Sequence, residues 1–309
     1  MHVFVTGGSG LTGPAVVTEL VAAGHTVTGL ARSDAAATRL ESLGATPHRG
    51  SLDDLDSLRR GAEAADGVLH MAFGGDFADP DDMMRRDRTA IETLGEALAH
   101  TGKPFVSTSG TLVMPTGRET TEQDEPDPAG IAGFRIPGER ACLGFAASGV
   151  RASVVRLAPT VHGPGDYGFL GMLVDTARTT GKSAYLGGGN RWPAVHRLDA
   201  AVLFRLALEK APAGSVLHGV AESGVPFRRI AETIARGLGL PAVAVTPEEA
   251  ATHFASPFMA EVYGIDAPVS GAHTRDLLGW SPSHPTLLED LAHGDYLTGV
   301  RRPSAGAHP

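Results

Sequence analysis

Val3-Phe4-Val5-Thr6-Gly7-Gly8-Ser9-Gly10-Leu11-Thr12-Gly13 decides the fold. Its first residues make a short buried strand, glycines three apart turn the chain, and Val16-Val17-Thr18-Glu19-Leu20-Val21 continues as an apolar helical stripe. Strand, glycine turn and helix in that order build a dinucleotide-binding unit. Gly7 permits the tight turn, Gly10 lets a pyrophosphate approach the backbone, and Gly13 lets the helix lie close on the strand. The N–H groups at the positive start of that helix then face the phosphates. Because 40 glycines supply chance spacings, the flanking strand and helix carry the reading.

Thr26-Val27-Thr28-Gly29-Leu30-Ala31 reads as the second strand of a β-α-β unit. An acid at the end of that strand would bind the ribose 2′-hydroxyl of NAD, whereas a cation there accepts the 2′-phosphate of NADP. The strand closes on Ala31-Arg32-Ser33, so Arg32 is the expected 2′-phosphate ligand, with Ser33 as second donor. NADP(H) is the preferred coenzyme on this reading and NAD(H) the alternative, with Asp34 the residue that opposes the preference.

At 309 residues the chain supports one large α/β unit or a main domain with a smaller lobe. The 26 basic against 35 acidic residues, a net charge of −9, argue against nucleic-acid or anionic-membrane partners. Cys142 is the lone cysteine, which excludes an internal disulfide, and its apolar setting marks a buried thiol. No apolar run reaches membrane-spanning length, and a strand starting at about His2 leaves no room for a signal peptide, so a cytoplasmic location is expected. The 13 histidines are scattered in sequence, and no metal site is expected. The partner expected is a small-molecule substrate, with a homodimer left open.

Further along, Ser51-Leu52-Asp53-Asp54 caps a helix over 55–64, Gly67 to Phe73 reads as a buried strand, and 76–82 as an acidic loop. An amphipathic helix over 85–100 precedes the strand Pro104-Phe105-Val106-Ser107-Thr108-Ser109-Gly110. The glycine motif, the strand end His70-Met71-Ala72 and the strand end Ser107-Thr108-Ser109 resemble the short-chain dehydrogenase/reductase superfamily, in its extended epimerase/dehydratase branch. Arg156-Leu157-Ala158-Pro159-Thr160-Val161-His162-Gly163-Pro164-Gly165 is similar to that branch's Arg-Pro…Val-Tyr-Gly-Pro-Gly segment. Val195-His196-Arg197-Leu198-Asp199 and Leu278-Gly279-Trp280-Ser281-Pro282 match its later segments.

The resemblance implies a Rossmann-type doubly wound parallel sheet with a smaller C-terminal substrate lobe. The expected division is a dinucleotide-binding domain over 1–165, completed by about 190–222, a lobe over 166–189 and 223–300, and a disordered tail over 301–309. It assigns the coenzyme to Thr6, Gly7, Gly10, Leu11, Thr12, Gly13, Arg32, Ser33, Ser51, Leu52, Met71, Ala72, Ser107, Arg135, Pro159 and Val161. In the lobe, Phe254, Phe258, Met259, Val262 and Tyr263 are expected to share one helical run.

One departure governs the chemistry. The superfamily protonates its substrate with a tyrosine, activated by a lysine four residues later on a helix. Aligned on Glu139, those positions fall at Ile131 and Arg135, and none of the four tyrosines has a lysine four residues on. Arg135 keeps the cation that would hold the nicotinamide ribose, but its pKa is too high for a proton relay. Ser109 matches the superfamily serine and can donate to a carbonyl oxygen, with Thr108 and Thr111 as register alternatives. His162 is the first substitute acid, or a hydrogen-bonded structural histidine; Tyr167 is the second, and His196 is read as architectural. The functions this admits are an NAD(P)H-dependent reductase of a small, largely apolar carbonyl or imine, a non-catalytic NADP(H)-binding redox sensor, and a nucleotide-sugar epimerase or dehydratase.

Overall fold

The computed structural model describes residues 1–73, 79–187 and 189–298. The first half alternates strand and helix: β1 (His2–Thr6), α1 (Gly13–Ala22), β2 (Thr26–Ala31), α2 (Asp34–Ser42), β3 (Thr46–Arg49), α3 (Leu55–Ala64), β4 (Gly67–His70), α4 (Pro80–Leu98), β5 (Pro104–Gly110), α5 (Ile136–Gly144) and β6 (Arg151–Leu157). Then follow β7 (Thr160–His162), α6 (Phe169–Thr180), β8 (Ser183–Leu186), β9 (Arg191–His196), α7 (Arg197–Lys210), β10 (Ser215–Gly219), β11 (Glu222–Pro226) and α8 (Phe227–Leu238). The chain ends with β12 (Ala242–Val245), α9 (Pro247–His253), α10 (Pro257–Gly264), α11 (Ala272–Leu278) and α12 (Leu287–His293).

Seven strands form one sheet in the order β10-β6-β5-β4-β1-β2-β3, and every pairing in it is parallel. Parallel strands need covered faces, and their sequences are accordingly continuous apolar runs. One face carries α1 and α7, with Val16, Val17, Leu20, Leu203 and Phe204 fully buried; the other carries α3, α4 and α5 over Phe4, Leu58, Leu94 and Phe105. Strand order reverses at β1, which has β2 on one side and β4 on the other, so a crevice opens at the carboxyl ends of these strands.

The lobe has its own core, in which Trp192 stacks on Tyr263 at 5.5 Å and both meet Phe227. Two small sheets, β11-β9-β7 and β12-β8, frame it. Leu112 and Ile131 pack against this core and the sheet core alike, at the seam between them.

Three expectations are corrected. Residues 80–82 are not loop: Asp79 accepts from the Asp82 amide and starts α4 at Pro80, while 74–78 lie outside the described residues. The apolar run 254–263 is not one helix, because Ala255 turns left-handed at φ 54° and Ser256-Pro257 begins a new helix with its own cap. Ile131 does not share a helix with Arg135. Pro137 has no N–H to give and caps the reach of α5 towards the N-terminus, so residues 133–135 wind as a 3-10 turn and 131 lies in the turn before it. The expected tail over 301–309 lies outside the described residues.

Candidate functional site

The glycine loop occupies the crevice with three different constraints. At Gly7, φ is +75° and a Cβ would sit 2.5 Å from the Ala72 nitrogen, so the loop packs on the end of β4. At Gly13 a Cβ would sit 2.1 Å from the Gly7 carbonyl oxygen. Gly10 meets only that same oxygen, at 3.3 Å, and is otherwise open. Thr12, the residue before α1, makes no side-chain cap bond, and Pro14 opens the helix. A loop locked at both ends, with an open middle glycine and an uncapped helix start, fits a pyrophosphate. Thr6 fixes the floor: its Oγ1 accepts from the Ala72 amide at 3.2 Å and lies 2.8 Å from His70 Nδ1, whose Nε2 lies 3.2 Å from Asp87. Leu11 rests near Gly168, half-buried.

At the adenosine end, Arg32 is exposed, and Ser33 caps α2 by accepting from the Ala36 amide, which leaves its own proton free to donate. Asp34, the acid that opposed an NADP preference, is held by Arg49 at 2.7 Å. Ser51 is half-buried and turns its hydroxyl to the Asp53 amide; Leu52 packs towards the α3 and α4 core. Met71 and Ala72 are half-buried where β4 ends, Ser107 is buried beside His70 in the β4–β5 register, and Pro159 and Val161 flank the start of β7, half-buried.

At the other end, β5 and the 3-10 turn after it carry the hydroxyls of Thr108, Ser109 and Thr111, each buried with no hydrogen-bond partner among the described residues. Orphaned buried hydroxyls are costly unless a ligand satisfies them. Arg135 closes the group: its Nη2 donates to the Thr108 carbonyl at 2.8 Å and its guanidinium lies 3.6 Å from the centroid of the Phe73 ring. Burial pushes the Arg135 pKa down, and the nearby Asp87 and Glu139 carboxylates oppose that. A cavity of about 270 Å³ lies beside it, lined by Asp87, Phe134, Arg135 and Gly138 among others. Arg156 and Glu139, buried and bonded at 2.6 Å, brace α5 against β6 from below.

His162 lies elsewhere than expected for an acid. It is 1% exposed, its Nδ1 is 2.8 Å from Asp290, and its ring meets His196 edge-on at 5.2 Å. His196 in turn caps α7 by accepting from the Leu198 amide and stacks on His284, which bonds Asp199. Three histidines and two aspartates from four separate stretches meet here, and of these contacts only the pairing of His196 with Asp199 in one segment was visible in the sequence. Nδ1 of each histidine is engaged, by Asp290, by the Leu198 amide or by Asp199, and Asp199 also accepts from the Ser283 and His284 amides, so the cluster is read as a structural network. Tyr167 is half-buried, which raises its pKa, and its charged neighbours are Arg39, Arg197 and Asp166 on the glycine-loop side.

Comparisons with known proteins agree with this architecture. A model of the NAD-dependent epimerase/dehydratase family matches residues 3–218. The chain is 46% identical over 298 residues to uncharacterized protein C2A9.02 of Schizosaccharomyces pombe, covering 96% of this chain and all of that one. It is 31% identical over 224 residues to the 4-hydroxy-2-methyl-3-oxo-4-farnesyl-3,4-dihydroquinoline-1-oxide ketoreductase of Stigmatella aurantiaca, covering 70% of this chain and 67% of that one. Among solved structures, dTDP-glucose 4,6-dehydratase DesIV from Streptomyces venezuelae superposes with a TM-score of 0.78 at 18% identity, over 94% of this chain and 95% of that one. No helix among the described residues is long and apolar enough to cross a membrane. The glycine cradle, the parallel sheet reversed at β1 and the match over residues 3–218 place the chain in the NAD-dependent epimerase/dehydratase family.

Proposed function

We propose that the protein is an NADP(H)-dependent reductase of a small, largely apolar carbonyl or imine. The observation that carries this reading is the β5 end: the buried Thr108, Ser109 and Thr111 hydroxyls have no hydrogen-bond partner among the described residues, and Ile131, at the seam of the two cores, replaces the superfamily's tyrosine with a side chain that has no proton. The named ketoreductase among the relatives supports it.

The coenzyme, when bound, supplies the hydride. Thr6, Gly7, Gly10, Leu11, Thr12 and Gly13 would hold its pyrophosphate, Arg32 and Ser33 its 2′-phosphate, and Arg135 its nicotinamide ribose. Ser109 would donate to the reducible group, with Thr108 and Thr111 as the register alternatives. An iminium carries its charge already and needs no acid at the reduced atom, which suits Ile131. A carbonyl would draw its proton from Tyr167 or from water, because His162 is buried against Asp290. A nucleotide-sugar substrate fits less well. Its diphosphate would need cations, and Arg191 in the lobe is already bonded through Nε and Nη2 to Asp266 at 3.0 and 2.8 Å, while the lobe core is apolar.

The test is a panel of apolar aldehydes, ketones and cyclic imines, followed by loss of reduced-nicotinamide absorbance. Turnover with a member of the panel, reduced at least about tenfold by Ser109→Ala, is expected. Tight NADPH binding with flat absorbance throughout would overturn the reductase and favour a redox sensor.

A further inference from the structure

Asp87 joins the two ends of the crevice. It is buried on α4, where its Oδ1 lies 3.2 Å from His70 Nε2, and His70 Nδ1 lies 2.8 Å from Thr6 Oγ1, which also accepts from the Ala72 amide. A carboxylate only accepts, so Nε2 carries the proton shared with Asp87, and a neutral His70 then accepts from the Thr6 hydroxyl at Nδ1. Thr6 and His70 are register partners in β1 and β4, so this line of contacts runs from the floor of the glycine loop across the carboxyl edge of the sheet to α4.

The other carboxylate oxygen turns to α5: a Cβ at Gly138 would lie 3.3 Å from Asp87 Oδ2. Arg135 stands three residues earlier, and Asp87 and Arg135 line the same cavity of about 270 Å³. A guanidinium drawn partly out of water needs a counter-charge. Glu139 is committed elsewhere, since both its oxygens accept from Arg156. Arg85 and Arg88, on the same cavity wall, pair with Asp82 and Glu92. Asp87 is therefore the carboxylate of this cavity, and its charge opposes the effect of burial on Arg135.

We propose that Asp87 is a positioning residue for the coenzyme: as counter-charge to Arg135 and hydrogen-bond partner of His70, it holds the cation that would meet the nicotinamide ribose and ties that end of the crevice to the Thr6 floor. The inference rests on the NADP(H) reading above. Titration with NADPH, which carries the nicotinamide riboside, and with 2′,5′-ADP, which lacks it, tests it without any substrate. Asp87→Asn keeps the shape and an acceptor for His70 and removes only the charge. It is expected to weaken NADPH about tenfold and to leave 2′,5′-ADP unchanged. Arg135→Met is expected to do the same, and the double variant to bind NADPH no more weakly than Arg135→Met alone, because Asp87 acts through Arg135. Asp87→Asn should also melt below wild type and regain part of that loss when Arg135→Met removes the stranded charge. Equal weakening of both ligands, no weakening of NADPH, or losses that add in the double variant would each overturn the inference. Should Asp87→Asn fail to fold, the comparison of Arg135→Met with the double variant decides alone: equal NADPH affinity supports the inference and a further tenfold loss overturns it. A wild-type protein that does not bind NADPH would overturn the coenzyme reading itself, and this inference with it.

Discussion

Gly10 and Gly13 look interchangeable in the sequence and are opposites in the structure. A methyl at Gly13 would press to 2.1 Å on the Gly7 carbonyl, a backbone atom that cannot yield, so Gly13→Ala should lower the melting temperature through an overpacking cost of about 1–3 kcal/mol and lose coenzyme binding with it. A methyl at Gly10 meets one oxygen at 3.3 Å and otherwise enters the space the pyrophosphate needs. Gly10→Ala should therefore melt close to wild type yet bind coenzyme at least about tenfold more weakly. Calorimetry and thermal denaturation on the two variants separate the roles; a Gly10→Ala protein that binds normally would contradict the cradle. The glycine spacing was legible from residue types, because positive φ and close approach are properties that only glycine supplies. The bond from Arg39 to the Ser9 carbonyl was not legible, since it crosses 30 positions and leaves no local pattern.

At the scale of elements, the start of α5 decides what chemistry can be restored. A tyrosine and a lysine four apart cooperate only on one helical face. Here Pro137 begins the α-helix at Ile136 and residues 133–135 form a tighter turn, so positions 131 and 135 share no α-helical face. Rebuilding the pair as Ile131→Tyr with Arg135→Lys should add no turnover on the carbonyl panel, and the lost Arg135 bond to Thr108 should lower coenzyme affinity. A tenfold gain in rate would show that the turn can rewind. Strand and helix order over 1–110 followed from apolar periodicity, glycine stops and acidic caps, which act within a few residues. The misread elements, 80–82 and 254–263, turned on a cap and a left-handed residue that periodicity does not register.

For the whole molecule, the histidine network ties β7, the start of α7 and the C-terminal segment together. Burial holds the His196 pKa down at about 4 from 6.5; His162 and His284 act in the same sense, and Asp290 and Asp199 oppose it. A histidine kept neutral in the folded state binds its proton only when the chain unfolds, so stability is full above about pH 6.5 and declines as pH falls towards 4. The loss over that window should be on the order of 2–3 kcal/mol. His196→Gln should flatten the slope in urea titrations run between these limits; an unchanged slope would place the acid sensitivity elsewhere.

Alternation of apolar strands and amphipathic helices around the first glycine loop was enough to specify a parallel sheet with its ligand crevice at the carboxyl edge, because periodicity and glycine stereochemistry act over short stretches of chain. Which charges remain free was decided only by the tertiary structure. Asp34 pairs with Arg49 at the surface, Arg191 with Asp266 and buried His162 with Asp290, across separations of 15 to 128 residues. Electrostatic pairing depends on distance in space and on exclusion of water, and neither is written in the spacing of residues along the chain.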